Sequence, residues 1–455
     1  MSSIQLGVPK GTRDFGPQTM AKRQFILDHI RRIFEKYGFQ PLETPSMEQL
    51  SVLTGKYGEE GDQLLFKILN SGDFLKKTQP QDFEGGSKHL LDKISQKGLR
   101  YDLTVPFARY VVMHRHEITF PFKRYQMQPV WRADRPQRGR YREFMQCDAD
   151  VVGTDSLLCE AEIVAMINEV FQQLGINDFT ILVNHRKILG GMAEAIGAAG
   201  REAELAVSLD KFQKIGADKM AQELSQKGFA QGSIDQLLSM TSWKGDWSEI
   251  KQVLTKGIGS NAGTSEGIAD LDNMLLLVQE LGLSNANLQF DASLARGLSY
   301  YTGTIFEVVV NNATMGSVSG GGRYDDLTGV FGLPDVSGVG ISFGVDRLYD
   351  VMEQLDLFPS DQLQFTKVLL VSLDEESMGS ALELLGSLRN EGISSELYPD
   401  RAKLKKPLAY ANKKNIPWVV LIGSEETEQG VISVKDMGAG TQSQMTPDQF
   451  LAHMN

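Results

Sequence analysis

Residues 294–303 read Leu-Ala-Arg-Gly-Leu-Ser-Tyr-Tyr-Thr-Gly, which sets Arg296 shortly before two adjacent tyrosines, Tyr300 and Tyr301. A guanidinium presents a rigid fork of donors and each phenol can donate and accept, so this composition suits a site that grips a carboxylate or phosphate beside a small polar ring. A second concentration of chemistry lies between residues 132 and 142, where Arg132, Arg135, Arg138, Arg140 and Arg142 surround the single acid Asp134. If residues 140–151 form a strand, Arg140, Arg142, Phe144, Gln146, Asp148 and Asp150 share one face. Guanidiniums, a ring, an amide and two carboxylates make a poor core face and a good pocket wall. The plain alternative is the solvated side of an amphipathic strand.

Neither common nucleotide fingerprint is present. The chain has no GxxxxGK[ST], and Gly338, Gly340 and Gly344 do not fit GxGxxG. Those glycines read instead as places where strands pack closely or a ligand nears the backbone. Phosphates would then be held by arginine. Arg132 ends one predicted strand, Arg140 and Arg142 begin the next, and Arg347 opens a predicted helix whose N-terminal dipole also favours anions. No histidine or cysteine pair has metal-ligand spacing, so no resident metal is expected.

The elements that must position these residues follow from the hydrophobic period. Ile26, Ile30, Ile33 and Phe34 predict an amphipathic helix over 18–36, stopped at Tyr37-Gly38, where glycine suits a C-terminal cap. Residues 39–47 read as extended, and Pro41 and Pro45 put them at a sheet edge or interface. Tyr125, Met127 and Trp131 recur near period two over 122–132, so this segment and 140–151 predict an antiparallel hairpin turned through the arginine-rich loop. A helix over 163–174 and a short strand over 179–183 follow, and the stretch to Leu283 then shows helical patterns without strand alternation, as an inserted helical module would. Strand patterns return at 288–291 and 305–310, ahead of the glycine-rich stretches 320–325 and 338–344 and a helix over 345–352.

A linker is expected over 356–365. Beyond it, strands at 368–373, 395–398, 418–422 and 431–434 alternate with helices at 377–389, 408–414 and around Phe450. That alternation predicts a small, mostly parallel sheet with right-handed crossovers.

At 455 residues with 41% hydrophobic content, the chain is long enough for two to four domains, each with its own core. Cys147 and Cys159 are too few for a disulfide framework, and the first residues lack the apolar core of a signal peptide. No apolar run approaches the roughly 20 residues needed to span a bilayer. A cytoplasmic protein with no membrane partner is therefore expected. Net charge is -12, which argues against nucleic acid until its distribution is considered. Besides the arginines of 132–142, residues 401–414 carry Arg401, Lys403, Lys405, Lys406, Lys413 and Lys414 with no acid among them. Either run alone reads as a solvated face, but two of them far apart suit a long polyanion.

These stretches resemble the three signature motifs of class II aminoacyl-tRNA synthetases, and over nearly the whole chain they resemble the histidyl-tRNA synthetase family. Residues 10–15 and 37–49 are similar to its N-terminal region and first motif, 131–144 to the second motif and its loop, and 338–347 to the third. Residues 294–303 and 320–325 are similar to its two histidine-specific signatures. The resemblance implies an α+β catalytic core on an antiparallel sheet, in two parts (1–174 and 288–355), with a mostly helical insertion (175–287) and a C-terminal α/β anticodon-binding domain (366–455). It implies a ligase that activates histidine with ATP and Mg2+ and loads it onto tRNA(His), as a homodimer. Arg132 would hold the α-phosphate, with Arg140 and Arg347 toward the β and γ phosphates. Phe144 would stack on adenine, with Arg347 over its other face. Arg296 would bridge the histidine carboxylate and the α-phosphate. Asp102, Thr104 and Gln146 would bind the α-ammonium, Asp150 and Tyr301 would read the imidazole nitrogens, and Tyr300 would shape the same pocket. Arg401, Lys403, Lys405 and Lys406 would contact tRNA. The chain departs from the common bacterial pattern at residues 101–104, Tyr-Asp-Leu-Thr, where many relatives read Pro-Glu-Gly-Thr.

Two other readings compete. A synthetase-like regulatory subunit of ATP phosphoribosyltransferase keeps this fold but lacks the C-terminal domain. A synthetase-like RNA-sensing module usually loses active-site residues and accompanies a kinase, and the sequence carries no kinase motifs.

Overall fold

The computed structural model describes residues 6–259, 261–283, 287–296, 300–359 and 365–454. Residues 1–5, 360–364 of the expected linker, and 297–299 of the Arg296 stretch lie outside the described residues. The chain divides into two compact units, Met1–Phe358 and Pro359–Asn455.

The first unit is built on a nine-stranded sheet. Its order is Gln40–Pro41, Phe122–Trp131, Glu143–Val152, Gly338–Gly344, Ser319–Tyr324, Thr304–Val310, Phe179–His185, Leu288–Asp291 and Lys244–Gly245. Six of its pairings are antiparallel, and the strands at 40–41 and 179–185 add parallel ones, to 122–131 and 288–291 respectively. Pro41 sits on the outermost strand, where its missing N–H leaves no ladder bond unmade.

The first helix, Pro17–Lys36, buries Ile26, Ile30, Ile33 and Phe34 against the sheet core. It stops because Gly38 turns to φ 80°, letting Gly38 N donate to Glu35 O and Phe39 N donate to Phe34 O, both at 3.0 Å. Phe34 and Phe39 then meet at 6.3 Å between ring centres, the apolar contact that accompanies this type of cap. Helices Arg186–Ala195, Glu202–Gln226, Gln231–Met240, Trp247–Ile258 and Ala262–Glu280 form the helical segment. The strand Phe179–His185, which precedes them, belongs to the central sheet through its full pairing with Thr304–Val310. Among the described residues no helix is long and apolar enough to cross a membrane.

The second unit has a five-stranded sheet ordered Ser395–Leu397, Val368–Ser372, Trp418–Ile422, Ile432–Asp436 and Gln442–Met445. Two pairings are parallel and two antiparallel. This corrects the expected mostly parallel sheet. The cause is chain length: only nine residues separate Ile422 from Ile432, and a parallel crossover needs about a dozen or more. Along the strand at 368–372, Val368 and Leu370 pack with Leu384, Leu388 and Phe450, while Leu369 and Val371 pack with Ala411 and Ile416. Both faces of this sheet are therefore apolar and covered.

Candidate active site

The central sheet floors a cleft of two adjoining lobes, about 290 and 150 Å³. Arg132, Arg140, Gln146, Arg296 and Ser342 line both. Asp102, Thr104, Asp148, Asp150, Tyr300 and Tyr301 line only the larger lobe, and Phe144 and Arg347 only the smaller. All eleven residues expected to bind histidine or ATP thus come together. They reach the cleft from segments as distant as residues 102 and 347, because strands far apart in sequence are neighbours in the sheet.

The strand Glu143–Val152 supplies Phe144, Gln146, Asp148 and Asp150 on one face, as period two requires. The expected extension of that face back to Arg140 is a correction. Residues 132–142 form a loop closed by Arg132 N donating to Arg142 O at 3.0 Å, so the strand starts only at Glu143. Arg142 is drawn away: its N donates to Gly11 O at 2.8 Å and its Nε to Asp134 O at 3.0 Å. Arg140 reaches the cleft from the loop, 3.6 Å from Asp134.

The larger lobe is rich in acceptors. Asp102 Oδ1 accepts from the Tyr57 hydroxyl at 3.0 Å and from Val105 N at 3.2 Å, while its Oδ2 is buried without a protein partner. Gln146 Oε1 and Asp148 Oδ1 are likewise buried and unpartnered. Asp150 has both oxygens engaged, Oδ2 by Arg124 Nη2 at 2.8 Å and Oδ1 by the Tyr324 hydroxyl at 2.6 Å. Burial raises the pKa of Asp102 and Asp150 above the usual carboxylate range and pushes Asp148 up to about 7. Burial and the neighbouring carboxylates push Tyr57 and Tyr324 well above 10, so both phenols stay neutral donors.

The arginines are held from behind. Arg132 Nε donates to Tyr101 O at 3.1 Å, and its guanidinium lies 4.3 Å from the Tyr101 ring centre and 5.2 Å from that of Phe144. Arg347 Nε donates to Gly139 O at 2.9 Å, and its Nη1 donates to Ser317 O. Burial, followed by the charges of Arg140 and Arg132, lowers the pKa of Arg347. Cations that disfavour one another at close range would be stabilised by an anion between them. Arg296, at φ 38°, donates through Nη1 to Phe306 O at 3.1 Å and lies 3.8 Å from Glu307.

The glycine stretches prove to be strands, and their missing side chains make the room. A Cβ at Gly320 would lie 1.5 Å from Arg296 Nη1, and one at Gly340 would lie 2.0 Å from Asp150 Oδ1. Sequence reasoning did not assign Tyr57, Tyr101, Arg124, Tyr324 or Ser342. A usable signal existed for Arg124: with Gln126 and Gln128 it forms a polar face on the first hairpin strand, and the register sets these three opposite Asp150, Asp148 and Gln146.

In the second unit, Arg401, Lys403, Lys405 and Lys406 are exposed. Arg401 is 3.1 Å from Glu375, and Lys414 pairs with Glu396 at 2.9 Å.

A mostly antiparallel sheet with glycines on the cleft floor, arginines set over it and a second, α/β unit fit the class II aminoacyl-tRNA synthetases. The family model of histidyl-tRNA synthetase matches residues 70–348 and that of the anticodon binding domain matches 367–454. The chain belongs to the histidyl-tRNA synthetase family. It is 58% identical over 444 residues to a histidine-tRNA ligase of Cytophaga hutchinsonii, covering 98% of each chain. It is 53% identical to that of Porphyromonas gingivalis, covering 97% of each. Its fold is similar to the crystal structure of histidyl-tRNA synthetase from Nostoc sp. PCC 7120, with a TM-score of 0.82 and 29% identity over the full length of both. The match at 367–454 and these ligase relatives favour the synthetase over the regulatory-subunit alternative.

Proposed function

We infer that this chain is a histidine-tRNA ligase: it activates histidine with ATP and transfers the histidyl group to the 3′ end of tRNA(His). The observation that carries the reading is the polarity of the cleft. Buried, unpartnered acceptors line one lobe, and arginines line its junction with the other. An amino acid whose ammonium enters the first lobe turns its carboxylate toward the second, where a triphosphate would lie.

In this arrangement Asp102 Oδ2, Gln146 Oε1 and Thr104 bind the α-ammonium. Asp150 keeps lone pairs for one imidazole nitrogen and Tyr301 serves the other, with Tyr300 packed 4.7 Å from Tyr301 between ring centres. Arg132 holds the α-phosphate, Arg140 and Arg347 the β/γ end, and Phe144 with Arg347 sandwiches adenine. The histidine carboxylate attacks the α-phosphorus in line and pyrophosphate leaves. The tRNA 3′-hydroxyl then attacks the adenylate carbonyl and AMP departs. Arg296 neutralises charge growing at the reacting centre, so positioning and electrostatics supply most of the acceleration. Magnesium comes as part of the ATP substrate, held largely by phosphates and water. The exposed cations Arg401, Lys403, Lys405 and Lys406 contact the tRNA. Family membership supports a homodimer working in the cytoplasm.

The test is ATP-pyrophosphate exchange with each of the twenty amino acids. Exchange is expected with histidine alone; exchange with another amino acid would overturn the pocket, and none from folded protein would overturn the activity.

A finer check comes from Gly320. The nearest atoms to an added Cβ all belong to the Arg296 side chain, at 1.5, 2.5 and 3.0 Å. Gly320→Ala is therefore expected to displace that guanidinium with little strain elsewhere. Exchange should fall about 100-fold, as when one preorganised charge-stabilising donor is lost, at a nearly unchanged melting temperature. A variant with full activity would mean that Arg296 does not act from this position.

A further inference from the structure

We propose that Asp148 is an additional binding residue for histidine, its Oδ1 accepting from the α-ammonium beside Asp102 Oδ2 and Gln146 Oε1. The proposal rests on histidine occupying the larger lobe as read above. Asp148 follows Gln146 and precedes Asp150 at period two, is 2% exposed, and lines the lobe. The register places Gln126 on one side of it and Ser342 on the other.

Ser342 fixes how these groups point. Gln146 Nε2 donates to Ser342 Oγ at 2.5 Å, and the Ser342 hydroxyl, opposite Asp148 in the register, favours the charged carboxylate. A hydroxyl has one proton, so Ser342 accepts from the amide and donates to the carboxylate. The Gln146 amide is thereby held with Nε2 toward Ser342, leaving Oε1 unpartnered, and Asp148 keeps Oδ1 without a protein donor. Asp150 differs, since Arg124 and Tyr324 engage both of its oxygens. A buried carboxylate oxygen lacking a donor is costly unless a ligand supplies one, and an ammonium has three N–H groups to give.

The surrounding charges agree. Asp148 faces Arg124 from the neighbouring strand, Asp150 from its own and Asp102 from the segment before the helix at 104–113. Arg100 also feels it, as does the adjacent Cys147, whose thiol burial keeps neutral. Burial foremost, with Asp150 and Asp102, pushes Asp148 up to about 7, against the pull of Arg124 and the Ser342 hydrogen bond. A bound ammonium favours the carboxylate form, so histidine binding expels a proton from Asp148 below about pH 7. Affinity then weakens as pH falls through that value, by up to about tenfold per pH unit.

Histidine binding to the full chain is measured by calorimetry at pH 6 and pH 8, for the parent and for Asp148→Asn, alongside KM in pyrophosphate exchange. The titration of histidine itself is common to both proteins and cancels in their ratio. The asparagine variant should bind histidine about 10- to 100-fold more weakly at pH 8, with the deficit shrinking toward pH 6 and KM for ATP unchanged. Equal affinity at pH 8, or a deficit that is the same at both values, would overturn the proposal. Ser342→Ala gives an independent reading if the first variant folds poorly. Asp148 then loses the hydroxyl that favours its charged form, so the midpoint of the affinity profile should move to higher pH; an unmoved midpoint also overturns the proposal. A parent that binds no histidine would instead remove the reading of the site itself.

Discussion

Replacing Arg296 by alanine is expected to lower the rate of histidyl-adenylate formation about 10³-fold or more while the fold survives. Among the described residues the side chain donates to Phe306 O at 3.1 Å and makes a long ion pair with Glu307 at 3.8 Å. Its loss therefore removes little cohesion. Its backbone, at φ 38°, occupies a region that L-residues adopt at a cost, and such strain persists where the surroundings over-determine it. Everything around the guanidinium holds it over the strand at 319–324: Gly320 leaves the space, and the Tyr301 ring centre lies 5.9 Å away. A preorganised cation at the point where charge develops is worth about 10²–10³ in rate for a single donor, and Arg296 offers more than one. Arg296→Lys should recover only a small part, because a point charge cannot replace the planar fork proposed to reach two anionic groups. Single-turnover adenylate formation with a melting curve checks this. Near-parental turnover from a folded Arg296→Ala variant would take the residue out of the mechanism.

How much of this could be read from residues alone depends on which physical signal was local. Period two is local, so the shared face of Phe144, Gln146, Asp148 and Asp150 was legible before any fold was known. The same rule misplaced Arg140 and Arg142, because where a strand begins depends on loop closure between Arg132 and Arg142. The strand Ser319–Tyr324 was hidden for the opposite reason. Three consecutive glycines carry no β-branched signature, yet they are required by side chains arriving from elsewhere, Arg296 at Gly320 and, across the sheet, Asp150 at Gly340.

Long-range partners left the faintest trace. Tyr57 and Tyr324 matter only because burial keeps their phenols neutral and aims them at Asp102 and Asp150. Nothing in their sequence neighbourhoods announces that. In the second unit, the strand Gln442–Met445 escaped notice because it is polar and mostly exposed at a sheet edge. The antiparallel pairing of the strand at 432–436 was in principle readable from the short connection before it.

The second large effect concerns the C-terminal unit. Deleting residues 366–455 is expected to leave histidine-dependent pyrophosphate exchange within a few fold of the parent and to weaken tRNA charging about 100-fold. The clusters that pack Val368, Leu370, Phe450 and their neighbours contain only residues of the second unit, so each unit has a core of its own. Every described residue lining the two-lobed cleft lies before Phe358, so the proposed adenylation site loses none of that lining. What is lost is the match at 367–454 to the anticodon binding domain, with the exposed Arg401, Lys403, Lys405 and Lys406. Contacts of cations with phosphates release counterions, so tRNA affinity of the full chain should fall steeply with salt, and the truncated chain should show a slope shallower by about one for each contact removed. Charging kinetics at two or more salt concentrations separate this from a folding defect, because a misfolded core would lose exchange as well. Undiminished charging with the same salt slope would mean that the basic run is only a solvated face and that tRNA is held by the first unit alone.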